Sequence, residues 1–312
     1  MANTITLAKK YAALLDEAYK ENARTAVLES DASLAREGAN ANEIVIPKLT
    51  MDGLADYSRS SGYVAGDVSL SWQTVQFNYE RGRMFSVDAM DNEESQSIAF
   101  GSLAGEFVRT KAVPELDAFR FASFAGTTGI GSASAALSTG ADAVAAVRTA
   151  VSALDAAEVP SEDRVLFITP VLKGLIDDMD TTKSRAVLAS FDKIVTVPQS
   201  RFYTKIKLND GTTSGETDGG YAKDTDGKNI NFMIVHKGAV LQFTKHAVPK
   251  IISPAANPDA DSWKYGYRSY GLCSVYPSKA AGIYCHYSNT SAACRRGRPL
   301  GGYVRNILIV AR

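Results

Sequence analysis

Three histidines, His236, His246 and His286, are the only side chains in this 312-residue sequence whose ordinary titration falls near neutral pH. None has a His or Cys three or four positions on, so a metal triad or a catalytic base would need convergence from separate strands. Cys273, Cys285 and Cys294 are odd in number, lie 12 and 9 positions apart and form no CxxC. That spacing suits neither a disulfide framework nor zinc, and the three read as free thiols with Cys294 the most exposed. The stretch 209–229 gathers Asp210, Glu216, Asp218, Asp224 and Asp226 without the D-x-D-x-D-G spacing of a calcium loop. GTTGIGS (126–132) lacks the GK[ST] ending of a phosphate loop, and no GxSxG exists to seat a nucleophile. The expectation is therefore no catalytic, cofactor-binding or metal site. What remains is guanidinium chemistry. Arg81 and Arg83 flank Gly82, while Arg109, Lys111 and Arg120 run along one helical stretch, and arginine is enriched where surfaces of two chains meet.

Lys plus Arg equals Asp plus Glu, 34 each, so no global charge draws the chain to nucleic acid. A composition of 45% hydrophobic and 22% charged residues supports one or two globular domains. No apolar run reaches the roughly 18 residues of a membrane span. Lys9, Lys10, Asp16 and Glu17 interrupt the N-terminal apolar pattern, which excludes a signal peptide and predicts use in a cytoplasm.

The elements that would position these groups are mixed. Leu7, Tyr11, Leu14, Leu15 and Tyr19 predict a helix within 5–29, followed by a loose connection over 30–42. EIVIPKL (43–49) reads as a strand that Pro47 assigns to an edge. Val68, Leu70 and Trp72 alternate, then Val75, Phe77 and Tyr79 alternate in the other phase, which predicts a bulge or twist in a hairpin spanning 43–88. From Asp91, a helix of about 30 residues, far above the typical length, is expected to kink near 110–113 ahead of Pro114. Residues 126–140 read as a loop and 141–160 as an alanine-rich helix. RVLFI, KIVTV, NINFMIV and KYGYRSYGLCSVY read as strands, and 209–229 as a long Gly- and Asp-rich loop. The class is α+β.

ERGRMFSVDAMDNEES, AGEFVRTKAVPELDAFRFA and VTVPQSRFY, in that order, resemble major capsid proteins of tailed bacteriophages with the HK97-type fold, in particular those of phages and prophages of Gram-positive bacteria. The resemblance spans roughly 40–286. It implies an N-terminal arm (1–42), an extended β-hairpin or E-loop (43–90), a peripheral domain with its long spine helix (91–140), a mainly axial domain (141–245) and return strands of the peripheral domain (246–288). Loop 209–229 would then lie near a capsomer's symmetry axis. Residues 289–312, with Arg295, Arg296 and Arg298, form a tail unlike the family's. The implied function is a structural coat protein, not an enzyme, that self-assembles as pentamers and hexamers into an icosahedral head. Its partners would be copies of itself, a separate scaffolding protein, the portal protein and non-specifically held double-stranded DNA, with no membrane and no cofactor. It would assemble in the host bacterial cytoplasm and reside in the virion. Trp72, Phe77, Tyr79, Arg81, Arg83, Arg109, Lys111, Arg120 and Arg201 are the expected inter-subunit contacts. An encapsulin-like nanocompartment shell is the alternative on the same fold. An enzyme would have to use His236, His246 and the acidic loop.

Overall fold

The strand RVLFI is apolar at every position from Val165 onward, and such a strand is stable only when both faces are covered. The computed structural model of the chain describes residues 23–30, 36–37, 43–94 and 98–288. In it RVLFI is β6 (Arg164–Ile168), inside a five-stranded sheet ordered β5 (Gly131–Ser134), β13 (Ile283–Tyr287), β10 (Ile230–His236), β6 and β7 (Lys193–Thr196). The β10 pairings are antiparallel, and the two outer pairings are parallel. Alternate residues divide between two cores. Val165, Phe167, Met233 and Val235 pack with Phe121, Phe124 and Leu28. Leu166, Ile168, Phe232 and Ile234 pack with Val144, Val147 and Leu154. The second core is roofed by α4 (Gly140–Ala156), α5 (Pro170–Asp177) and α6 (Thr182–Leu188). Thr139 and Asp142 start α4 with a reciprocal capping box.

The first core is covered by a segmented helical rod. It comprises α1 (Ala89–Glu94), α2 (Ile98–Phe107), a π-helical turn (Val108–Ala112) and α3 (Val113–Ala125). Pro114 has no N–H to donate and its ring crowds the carbonyl four residues back, at Thr110. The expected kink near 110–113 is thus a π turn, in which one wider loop of backbone absorbs the missing bond.

The rod also lies on a second sheet, β11 (Val240–Ile252), β12 (Ser262–Val275) and β4 (Tyr79–Asp88), all antiparallel. A third sheet joins β1 (Arg36–Glu37), β2 (Glu43–Met51) and β3 (Val68–Gln76). Here the sequence reading needs correction. The hairpin is 43–76, not 43–88, because Tyr79–Asp88 pairs with β12 in a different sheet. No bulge interrupts β2–β3, whose register runs unbroken from Glu43↔Gln76 to Met51↔Val68. Two further expected loops contain strands: β5 falls within 126–140, and β8 (Ile206–Leu208) pairs with β9 (Tyr221–Lys223) inside the acidic stretch.

The end of the expected arm belongs to the body. Residues Arg24–Leu28 form a 3-10 turn with Thr25 and Leu28 buried. The Asp117 carboxylate, 0% exposed, accepts from Arg24 N (3.0 Å), Thr25 N (3.1 Å), Thr25 Oγ1 (2.7 Å) and Arg201 Nη1 (3.2 Å). Arg120, 2% exposed, donates to Thr25 Oγ1 (2.9 Å) and Thr244 Oγ1 (3.2 Å). Gln242 donates through Nε2 to Thr25 O at 3.0 Å, adding β11 to the clasp. Of the helix predicted over 5–29, residues 5–22 lie outside the described residues, as does the tail 289–312 with Cys294, and 24–28 is the 3-10 turn instead.

Removing one member of such a buried ionic cluster strands the others without a partner, at about 3–5 kcal/mol. Asp117→Ala is expected to lower the stability of the free subunit by that amount, with Asp117→Asn intermediate. Urea unfolding followed by tryptophan fluorescence measures it, and unchanged midpoints would show that the clasp does not hold the subunit together.

Candidate subunit-docking site

In the β2–β3 ladder, residues directly opposite share a face. One face holds Ile44, Ile46 and Val75, and near the body these pack on Leu241 and Leu272. The opposite face holds Pro47↔Trp72, Leu49↔Leu70 and Met51↔Val68, and all six are exposed. Of the twelve large hydrophobic side chains exposed among the described residues, nine lie between Leu49 and Trp72. The phase change read in the sequence is therefore a change of partner. The hairpin's root buries one face on its own body, and its distal half turns the other face to solvent. A contiguous exposed apolar patch of this kind marks an interaction surface.

The tip is built to hold its shape. Asp52 and Asp67 close it, Asp52 N donating to Asp67 O at 3.1 Å and Asp67 N to Asp52 Oδ2 at 2.8 Å. Beyond them Tyr57 and Tyr63 hold their rings 4.9 Å apart, and Leu54 stands fully exposed. At the root, Asn78 bridges the gap between sheets with its side chain. Its Nδ2 donates to Cys273 O at 2.7 Å and its Oδ1 accepts from Cys273 N at 3.0 Å, the pattern of a ladder residue. Phe77 stacks on Tyr270 at 4.8 Å.

Behind the hairpin, β4 and the helical rod bound a groove of about 1180 Å³. Phe85, Leu103 and Phe107 line its apolar side, and Arg81, Arg83 and Lys111 its basic side. Arg81 Nε donates to Glu115 Oε1 at 2.6 Å and Nη2 to Gly220 O at 3.3 Å. Arg83 Nη2 donates to Thr217 O at 3.0 Å. Tyr79 OH lies 3.4 Å from the same Glu115 oxygen, and burial first, then that carboxylate, pushes its pKa well above the ordinary value.

The expected contact residues thus divide. Trp72 lies on the exposed apolar face, and Arg109 and Lys111 are exposed on the π turn, Arg109 paired with Glu106 at 2.6 Å. Phe77 is half-buried and Arg83 exposed on β4. Tyr79 and Arg120 are corrections. Both are buried inside the subunit, so neither presents a surface to a neighbour. Arg201 and Arg81 are largely spent on Asp117 and Glu115 within the chain. The residues that sequence reasoning missed are Leu49, Met51, Leu54, Tyr57, Tyr63 and Leu70. For Leu49, Met51 and Leu70 the signal was present as alternation along the two strands, which does not say whether the apolar face meets the chain's own core; Leu54, Tyr57 and Tyr63 lie beyond the strands, where no period marks them.

The histidines do not converge. His286 stacks on Phe232 at 4.9 Å and its Nδ1 accepts from Asn231 Nδ2 at 3.1 Å. His236 lies at the far end of β10, and burial lowers the pKa of both. Cys273 and Cys285 are buried thiols with pKa pushed up to about 12. Asp210 is held well below the carboxylate range by the hydroxyl and backbone N–H of Thr213 and the N–H of Thr212, which is loop geometry. Among the described residues no group of three His, Cys, Asp or Glu could hold a metal, and no helix is long and apolar enough to cross a membrane.

No family model and no curated protein matches the chain. Solved structures do. The capsid structure of Cyanophage P-SCSP1u aligns over 82% of this chain and 86% of its own, at 12% identity and TM-score 0.52. A structure from Microbacterium phage Oxtober96 aligns over 84% and 91%, at 12% identity and TM-score 0.53. The virus-like particle from Pyrococcus furiosus aligns over 90% and 99%, at 11% identity and TM-score 0.52. The chain has an HK97-like capsid fold. That agrees with the resemblance carried by the three sequence stretches.

Two measurements follow from the site. Arg59 is exposed at the hairpin tip, so trypsin is expected to cut first there within residues 43–288 of the free subunit. Retention of an intact hairpin while other sites are cut would show the tip covered. The lowered His236 and His286 pKa values mean the unfolded chain binds more protons just below its ordinary 6.5. Their contribution is full above pH 6.5 and is lost as pH falls toward the folded values. His286→Gln is expected to flatten the fall in urea midpoint between about pH 7.5 and 5.5, the window around an unperturbed histidine, and an unchanged slope would exclude His286 as a source.

Proposed function

We propose that this chain is a major capsid protein whose copies assemble, as pentamers and hexamers, into an icosahedral shell around double-stranded DNA. The observation that carries the reading is the exposed apolar face of the hairpin, Leu49, Met51, Val68, Leu70 and Trp72, on an arm with no core of its own. Burying each such side chain against a neighbour gains about 1.5–3 kcal/mol. An isolated two-stranded hairpin is marginal in water, so a neighbour stabilises the arm as the arm holds the neighbour. The capsid fold of the compared structures supports the same reading. The role is structural, a reading that rests on the capsid fold of the compared structure. A separate scaffolding protein, a portal protein and non-specific contacts to packaged DNA complete the proposal. The domain limits given above, with loop 209–229 near a symmetry axis, are part of it. Contacts to the neighbour fall to Trp72, Phe77, Arg83, Arg109 and Lys111 with the apolar stripe.

A second reading is an encapsulin-like compartment that encloses protein. The near-complete overlap with the Pyrococcus furiosus particle favours considering it, since 99% of that chain is covered. Size-exclusion chromatography with negative-stain microscopy on the purified chain, alone and with scaffold, tests the shared claim. Pentamers, hexamers or closed shells are expected, and a compact monomer under every condition would refute both readings. Nuclease-protected nucleic acid in shells from the native source separates the first reading from the second. The triple substitution Leu49→Ser, Leu70→Ser, Trp72→Ser is expected to leave the subunit folded by circular dichroism while raising the concentration needed for assembly at least tenfold, the effect of about 1.4 kcal/mol per contact.

A further inference from the structure

Residues 209–220, between β8 and β9, do not extend into solvent but fold back across β4. Asn209 closes the base, its N and Nδ2 donating to Gly220 O and Gly219 O, both at 3.0 Å. Inside, the Asp210 carboxylate accepts from Thr212 N and Thr213 N at 2.8 Å each, and Glu216 pairs with Lys207. The strap then meets β4 at two carbonyls, Thr217 O under Arg83 and Gly220 O under Arg81. Gly211 and Gly219 are left-handed, with φ of +77° and +69°. A Cβ on Gly219 would stand 2.8 Å from Arg83 Nη1, and one on Gly211 would stand 3.6 Å away. The guanidinium therefore lies beside two glycines: a side chain at Gly219 would have to displace it, and both positions hold left-handed backbone that favours glycine.

Strand β4 is also the continuation of the hairpin. Only Phe77 and Asn78 separate them, and both are pinned to β12. A displacement of the hairpin is passed directly along the chain to β4, and with it to Arg81 and Arg83. We infer that Arg83 beside its two glycines latches the 209–220 strap to the strand bearing the hairpin, so that strap order and hairpin docking are coupled. This inference rests on the docking reading above. Held by two guanidinium-to-carbonyl hydrogen bonds, the strap either follows β4 or lets go. Coupling is reciprocal: whatever docking does to the strap, releasing the strap does to docking.

Hydrogen exchange read by mass spectrometry on the full chain tests it. In free subunits Arg83→Ala and Gly219→Ala are each expected to speed exchange of 209–220 by about tenfold, as local opening of a latched loop does. The double variant should be no faster than the faster single. Asn78→Ala, which loosens the hairpin's root, should speed the same amides. Strap exchange that stays at the wild-type rate in both Arg83→Ala and Gly219→Ala overturns the latch. A rate that responds to those two but not to Asn78→Ala overturns the coupling. In shells the wild-type strap should exchange at a rate different from that in free subunits, and Arg83→Ala should abolish the difference. Identical rates in wild-type shells and subunits would sink the coupling while leaving the capsid reading intact, whereas failure to form any shell sinks the capsid reading and leaves the free-subunit results to judge the latch.

Discussion

The fully buried Asp117 carboxylate is the interaction on which the rest of this subunit hangs. An unpaired charge at 0% exposure would be prohibitive, so Asp117 must be surrounded by donors, and its donors come from two stretches of chain distant from α3. Thr25 and Arg24 bring in the N-terminal segment, Arg201 the turn after β7, and α3 supplies the carboxylate itself. Arg120, one turn on, repeats the arrangement with opposite sign toward Thr25, Thr244 and Glu29. The helical rod is thereby fixed against both large sheets at once. Its position then sets the groove and the height at which β4 leaves the body.

From that fixed rod the hairpin can afford to be exposed. Its root is held by Ile44, Ile46 and Val75 on Leu241 and Leu272, and by the Asn78 side chain imitating a strand partner. Past Pro47 the buried face is abandoned and the opposite one becomes apolar. A strand can change its apolar face in this way without a bulge only if two different surfaces exist to receive the two faces. One of them is in this chain, at Leu241 and Leu272, and the other face is left exposed.

Much of the charge is used within the subunit. The chain as a whole is neutral, and many of its arginines serve internal ties. Arg83, Arg109 and Lys111 remain at the surface near the groove.

Much of the architecture was legible in the residue pattern. The apolar run of β6, the capped α4, the break between β10 and β11 and the interruption ahead of Pro114 follow from period and local backbone chemistry, which act over a few residues. Pairing partners were not legible in this way. That Tyr79–Asp88 joins β12 some 180 positions later, that 23–30 is core rather than arm, and that Arg120 points inward depend on contacts between distant segments. The sequence by itself determined an α+β subunit with a long apolar hairpin and a proline-interrupted helix. Only the tertiary structure decided which face of that hairpin is left for another molecule, because a strand's alternation records two faces and burial alone distinguishes them.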